Sequence, residues 1–420
     1  MENLSKEKER VILAGVHTGR TDAINDTTEE SIEELAELVN TAGGEVICSV
    51  VQNKSDLEAG TYMGEGKLEE LKDAVELYGA DMVVFDDELS PVQTRNISDF
   101  LGVKVLDRSL LILDIFAMRA KSGEGKLQVE LAQLRYRLPR LRGLGTELSR
   151  MGAGIGTRGP GESRLESDRR HIMRRISALE AQLKELKKHR NLIRERRRKD
   201  GTITAALVGY TNAGKSTLLN ALTDAQVFAE DKLFATLDPT SRAITLEDNR
   251  RILLVDTVGF IRKLPHHLIE AFKSTLEEAV VADVILHVID SSSPEMENQI
   301  KVVENVLGDI GASGKPELCV FNKCDKAGRP AVTRDGRCVY ISAKTHENLD
   351  KLIEVLAETA PGAKRRVKAV IPYSEGQLVS ELHDNQKVIS ESYGAEGTEM
   401  ELLVDEKMYR RIHAYLLSNK

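Results

Sequence analysis

The chain has 420 residues, 41% hydrophobic and 30% charged. That composition excludes a disordered or fibrous chain, and at roughly 100–200 residues per domain it predicts two to four domains. The net charge of -8 hides a split: Lys121 to Lys199 holds 22 Lys plus Arg against 9 Asp plus Glu, a local +13, leaving -21 on the remainder. Such asymmetry predicts a surface for a polyanionic partner, a solvated helical face being the alternative. The charged start MENLSKEKER and the lack of any apolar run of about 20 residues exclude a secretory leader and a membrane helix, and predict a cytoplasmic protein. Cys48, Cys319, Cys324 and Cys338 contain no CxxC pair, so they signal neither a zinc site nor a disulfide framework and are expected to be reduced and mostly buried.

In chain order, short apolar runs at VILAGV, EVICSVVQ, DMVVFD and VKVLD alternate with the amphipathic stretches EESIEELAELVNTAGG, LEELKDAVELYG and PVQTRNISDFLG. This rhythm predicts βαβ units and a parallel sheet of about four strands over residues 1–120. Asp81, Asp86, Asp87 and Glu88 read as water-facing carboxylates at loop ends rather than as a metal cluster. From Leu127 the period changes. Leu127, Leu131, Leu134, Leu138 and Leu141 form one heptad seam, and Leu165, Ile172, Ile176, Leu179, Leu183, Leu186 and Ile193 a second, which predicts an antiparallel helical hairpin over 121–199. Pro139 is expected to kink or end its first helix. Between the helices, 143–161 is rich in glycine and interleaved with Arg150 and Arg158, with Arg164 just beyond. A basic loop of this length on a helical stalk reads as a probe that inserts into RNA, with a mobile linker as the alternative. The run RERRRKDGT marks the next boundary, giving a domain over 200–361. After GAKRRVKAV, strand, helix, two strands and helix predict a small α+β domain over 362–420.

The chemistry sits in the third domain. The apolar ITAALV runs into Gly209-Tyr210-Thr211-Asn212-Ala213-Gly214-Lys215-Ser216, followed by a helical stretch from Thr217, which is the phosphate-loop pattern in its required context of strand, loop and helix. Loop amides and the helix N-terminus cradle phosphates, Lys215 reaches the β and γ phosphates, and Ser216 offers a hydroxyl to Mg2+. RRILLVDTVGF places Asp256, Thr257, Val258 and Gly259 at a strand end, where the carboxylate can hold Mg2+ and the Gly259 amide can sense the γ-phosphate. In FNKCD, Asn322, Lys323 and Asp325 read the base: the Asp325 carboxylate accepts both the ring N–H and the amino group of guanine, which adenine lacks. Ser342, Ala343 and Lys344 in ISAKT add a backbone N–H for the guanine carbonyl. In FATLDPTSR, Thr236 is the expected switch threonine on Mg2+, with Thr240 as runner-up. Phe260 occupies the position where many GTPases carry a water-orienting glutamine, so intrinsic hydrolysis is expected to be slow and to need outside help. K+ beside Asn212 is one candidate, and a merely structural Asn212 is the alternative.

With GYTNAGKSTLLN, FATLDPTSR, DTVGFIRKLP, FNKCD, ISAKT and the upstream GAGIGTRGPGES, the chain resembles the HflX family of translational GTPases, related to the Obg group, over essentially all of its length. The resemblance implies a P-loop GTPase with GTP and GDP as ligands, binding the large (50S) ribosomal subunit and separating stalled or idle 70S ribosomes. It also implies an amino-terminal domain and hairpin that reach toward the peptidyl transferase centre, with hydrolysis stimulated by the ribosome; a monomer is expected when the protein is bound there, and its oligomeric state is otherwise open. Two other readings stay open, an NTP-driven RNA remodeller and a large-subunit assembly factor.

Overall fold

The computed structural model describes residues 8–19, 28–141, 160–223, 233–234, 238–246, 248, 250–263, 273–327, 337–362 and 364–417. Among them, β1 (Arg10–His17), β2 (Glu45–Asn53), β3 (Met82–Phe85) and β4 (Lys104–Asp107) form a sheet in the order β2-β1-β3-β4, every pair parallel. β1 is apolar on both faces because both are covered. Val11 and Leu13 meet α1 (Glu29–Ala42) and α4 (Arg108–Arg119), while Ile12 and Ala14 meet α2 (Glu65–Tyr78) and α3 (Pro91–Leu101). Gly43 stops α1 at φ +94°, a left-handed cap that glycine adopts without a Cβ clash.

Asp86 is not the water-facing carboxylate expected. It is fully buried, 2.7 Å from the Arg108 guanidinium and 2.7 Å from the Ser31 hydroxyl. An apolar strand ending in Asp looks the same whether its carboxylate meets water or a buried arginine from another element.

The hairpin pairs α5 (Gly123–Arg140) with α6 (Pro160–Lys199), and Pro139 lies one residue before the end of α5. Ion pairs join Glu124 to Arg190 and, farther along α5, Arg135 to Glu180, so partner numbers fall along α6 as they rise along α5, which is the antiparallel register. The second seam is only partly covered: Leu179 is buried, Ile172, Ile176, Leu183 and Leu186 are half-buried, and Ile193 is exposed. Two helices alone cannot enclose a seam, and α5 turns Val129, Ala132 and Tyr136 onto the amino-terminal core instead. The 40 residues of α6 make a rod of about 60 Å. Arg164 lies in its first turns, whereas Arg150, Arg158 and the glycine-rich tip lie outside the described residues.

The third domain is a six-stranded sheet in the order β10-β9-β8-β5-β7-β6, built from β5 (Ile203–Val208), β6 (Thr240–Thr245), β7 (Arg251–Asp256), β8 (Val284–Asp290), β9 (Glu317–Asn322) and β10 (Cys338–Tyr340). Only the edge strand β6 runs antiparallel. It is flanked by α7 (Lys215–Thr223), α8 (Lys273–Val281), α9 (Met296–Asp309) and α10 (Leu349–Thr359). The last unit has β11 (Arg365–Ile371), α11 (Gly376–Asn385), β12 (Lys387–Tyr393), β13 (Thr398–Val404) and α12 (Glu406–Ile412), with an antiparallel sheet ordered β11-β13-β12. Among the described residues no helix is long and apolar enough to cross a membrane. All four cysteines are free, but only Cys324 is buried and the other three are half-buried, which corrects the expectation of mostly buried thiols.

Candidate nucleotide site

The phosphate loop connects β5 to α7, and its two glycines are demanded by close approaches. A Cβ on Gly209 (φ +155°) would lie 2.1 Å from the Val288 carbonyl of β8, and one on Gly214 (φ +95°) would lie 2.2 Å from Asn322 Nδ2. Asn212 carries φ +60°, a left-handed conformation that Asn tolerates better than most residues. Lys215 is 7% exposed, and its Nζ donates to the carbonyls of Gly209 (3.0 Å) and Tyr210 (2.8 Å), bracing the loop across its mouth. Burial brings its pKa down to about 8 against the opposing pull of Asp256, so an anion at this position has a cation to stabilise.

The Ser216 hydroxyl donates to Asp256 Oδ2 at 2.6 Å, so the two oxygen groups expected around Mg2+ are already together. Hard oxygen donors beside a phosphate site suit that ion. Gly259 packs so tightly that a Cβ would sit 2.8 Å from Thr211 Cα and 3.0 Å from Lys215 Nζ. The next residue zips to the loop: the Phe260 amide donates to the Gly209 carbonyl at 3.1 Å, and the Thr211 amide donates to the Phe260 carbonyl at 2.7 Å. The Phe260 ring is 1% exposed, in the core with Val208, Leu276 and Ala279.

At the base end, Asn322 is a cross-brace. Its Nδ2 donates to the Ala213 carbonyl (2.8 Å) and its Oδ1 accepts from the Ala343 amide (3.0 Å), tying loop, strand and ISAKT segment together. Lys323, at φ +64°, pairs with Asp290 at 2.7 Å. Ser342 is fully buried and its hydroxyl accepts from the Thr345 amide at 3.1 Å, which holds the following turn. The resulting cleft is lined by Gly214, Thr217, Lys323, Asp325, Ala343 and Lys344. Asp325 is exposed at its mouth. The expected selectivity cost would therefore arise only once a base covers it, rather than from burial beforehand.

Three expected ligands turn elsewhere. The Thr257 hydroxyl donates to the Leu207 carbonyl at 2.7 Å inside the sheet, and Val258 packs in the core shared with the amino-terminal domain, so both offer only backbone to the site. Tyr210 likewise leaves only its backbone at the loop: its hydroxyl donates to Glu34 of α1 and accepts from the Arg262 amide at 2.9 Å. Thr236 lies outside the described residues, and Thr240 opens β6 opposite Asp256.

Residues that motif reading missed form a second layer around the γ-phosphate end. Lys263, just after DTVGFIR, bridges Asp86 (2.5 Å) and Asp87 (2.7 Å) of the amino-terminal domain. Arg108 pairs with both Asp86 and Glu34. Burial alone would raise the Asp86 carboxyl, but Arg108 and Lys263 hold it below its ordinary range. On the other side, Asp238 of FATLDPT accepts from the amides of Lys121 (3.0 Å) and Ser122 (2.7 Å) at the start of α5, and Phe234 meets Phe116 edge-on at 4.6 Å. Asp238 was legible as part of its motif, but nothing near Glu34 or Asp86 in the chain points to partners 176 and 177 residues away.

Three family models match the chain: "GTP-binding GTPase N-terminal" over residues 29–117, "GTP-binding GTPase Middle Region" over 119–197 and "50S ribosome-binding GTPase" over 204–323. The chain is 51% identical to "GTPase HflX" of Caldanaerobacter subterraneus subsp. tengcongensis, across 100% of this chain and 96% of that one. The chain belongs to the HflX family of GTPases. To the HflX of Lacrimispora saccharolytica it is 50% identical, covering 97% and 96% of the two chains, and to that of Escherichia coli 42%, covering 89% of each. As an HflX-family GTPase it binds guanine nucleotides and hydrolyses GTP, with a GTPase domain of the 50S ribosome-binding type.

Proposed function

We propose that this HflX-family GTPase docks on the large ribosomal subunit in its GTP form, separates the subunits of stalled or idle 70S ribosomes, and leaves after hydrolysis. The observation that carries the reading is that both segments flanking the γ-phosphate position are fastened to accessory domains: Asp238 to the start of α5, and Lys263 to Asp86 and Asp87. Whatever the γ-phosphate does to those segments is passed to the basic hairpin and the amino-terminal sheet, which act as its levers. The +13 charge between Lys121 and Lys199 supplies the affinity for rRNA through counterion release, with Arg150, Arg158 and Arg164 at or near the hairpin tip as the proposed contacts.

Within the site we assign Lys215 and the Gly259 amide to the β and γ phosphates, Asp325 and the Ala343 amide to guanine, and Ser216 with Thr236 to Mg2+. The metal ion, when bound, neutralises charge developing between the β and γ oxygens. Asn322, Lys323 and Ser342 position these groups, and Tyr210 couples the loop to α1. The buried Phe260 ring supplies no group to orient water, so hydrolysis waits on the ribosome, with K+ beside Asn212 as a further contributor. Equal turnover in sodium and potassium buffers removes the K+ assignment.

Sedimentation tests the whole reading. Purified 70S ribosomes mixed with the chain, taken as a monomer, and a nonhydrolysable GTP analogue should resolve into free subunits. Intact 70S peaks with bound protein would favour an assembly factor, and displacement of strands from naked RNA duplexes a remodeller.

A further inference from the structure

The sheet of the GTPase domain lines up metal-binding side chains across three adjacent parallel strands. His287 of β8 is in register with Cys319 of β9, and Cys319 with Cys338 of β10. Glu317 precedes Cys319 by two residues and so shares its face. The donor atoms of His287, Glu317 and Cys319 lie within 4.8 Å of one another, with His287 Nδ1 3.0 Å from Glu317 Oε1. Cys338 adjoins Cys319 in register on the next strand, its sulfur outside that group of three. His287 is buried, while the two cysteines and Glu317 keep a path to solvent.

We propose that His287, Glu317 and Cys319, with Cys338 as the adjoining fourth donor, form a zinc-class metal site beneath the guanine pocket, separate from the oxygen site at Ser216 and Asp256. An imidazole, a carboxylate and two thiols make up the mixed nitrogen, oxygen and sulfur set that zinc takes in four-coordinate sites, and the thiols disfavour magnesium or calcium. The competing use of the pair, a redox disulfide, is poorly served: burial, then Cys338 and Glu317, hold the Cys319 thiol above its usual range, leaving little thiolate to attack. A metal ion displaces that proton on binding, so the same thiol remains a competent ligand.

The position gives the site a purpose. His287 and Cys319 each stand three residues before Asp290 and Asn322, roughly 10 Å down the strands from the groups that frame the nucleotide. β10, which delivers Ser342 to Lys344, is an edge strand of three residues. A metal ion bridging β8, β9 and β10 would pin that edge strand without touching the nucleotide.

The test uses the full chain loaded with Mg2+ and GDP, stripped of other metals by a chelator and titrated with Co2+. One equivalent should produce thiolate-to-cobalt charge transfer with a tetrahedral ligand-field spectrum, and Zn2+ should displace it. Cys319→Ser should abolish the charge-transfer band and weaken zinc binding by at least about 100-fold, because losing even an outer partner of a ligand costs roughly 10- to 100-fold. Cys48→Ser should change neither. Should Cys319→Ser fail to fold, zinc must slow alkylation of Cys319 in the unaltered chain relative to Cys48, read peptide by peptide. No stoichiometric binding, a spectrum that persists in a folded Cys319→Ser, equal alkylation with and without zinc, or a Cys319–Cys338 disulfide in metal-free protein would each overturn the proposal.

Discussion

The two ends of the nucleotide cleft are built on different plans. Among the described residues the braces at the base end are internal to the GTPase domain: Asn322 reaches Ala213 and Ala343, and Lys323 reaches Asp290. At the γ-phosphate end the braces leave the domain, from Tyr210 to Glu34, from Lys263 to Asp86 and Asp87, and from Asp238 to Ser122. Recognition of guanine is thus a local property that can hold whatever the other domains do. The braces at the terminal-phosphate end are shared with the amino-terminal domain and the hairpin, the two parts proposed to act on the ribosome.

Breaking the phosphate cradle itself should have the largest effect. Lys215→Ala removes the one ammonium buried in the loop, and its charge-assisted hydrogen bonds to phosphate are worth about 3 kcal/mol, or roughly 100-fold in GTP affinity by calorimetry. Arg108→Met tests the shared layer. It takes from Glu34 its arginine and leaves Asp86 with Lys263 in place of two cations, and should cost about 3–5 kcal/mol of stability in denaturant, while GTP affinity in the folded fraction stays nearly unchanged. A loss of affinity as large as that of Lys215→Ala would show that the two ends are not separable.

Asp325→Asn sharpens the local side of the comparison. GTP affinity should fall by about 1.5–3 kcal/mol, or roughly 10- to 100-fold, and stability should hold, because Asp325 is exposed. Undiminished GTP binding would remove the base assignment. Acid provides a further probe, since the Asp86 pKa is lowered in the folded protein. The stability it lends is complete above the ordinary carboxylate range and is lost as pH falls through that range and below it. Acid unfolding should accordingly be less steep in Lys263→Met, in which one of the two cations holding Asp86 ionised is gone. Tyr210→Phe is the mildest break, about 1 kcal/mol from the loss of one hydroxyl that bridges Glu34 and the Arg262 amide. It should leave GTP affinity within about threefold while altering the hydrolysis rate, and an unchanged rate would make the tyrosine a spacer.

Motifs such as GYTNAGKS and FNKCD were legible because their parts are neighbours in the chain, and the physics they serve is local: amides curling round a phosphate, a carboxylate at a strand end. The alternation of β1 to β4 with α1 to α3 was equally plain, since hydrophobic periodicity records burial directly. The same reading erred where a side chain's partner was distant. Asp86 looked like a solvent-facing loop carboxylate but meets a buried arginine, and the Tyr210 side chain, inside the phosphate-loop motif, reaches Glu34 of another domain.

Amino-acid order alone picked out the phosphate-loop and guanine-reading motifs, the basic run from Lys121 to Lys199 and the strand–helix alternation, because each is written in residues a few positions apart. Only the folded chain decided that Glu34 would meet Tyr210, that Lys263 would meet Asp86, and that Cys319 would face Cys338 and His287. Those pairings depend on which sheet edge or helix face arrives beside which, and a strand or helix with the same local pattern can present its charged or sulfur-bearing residue to many possible neighbours.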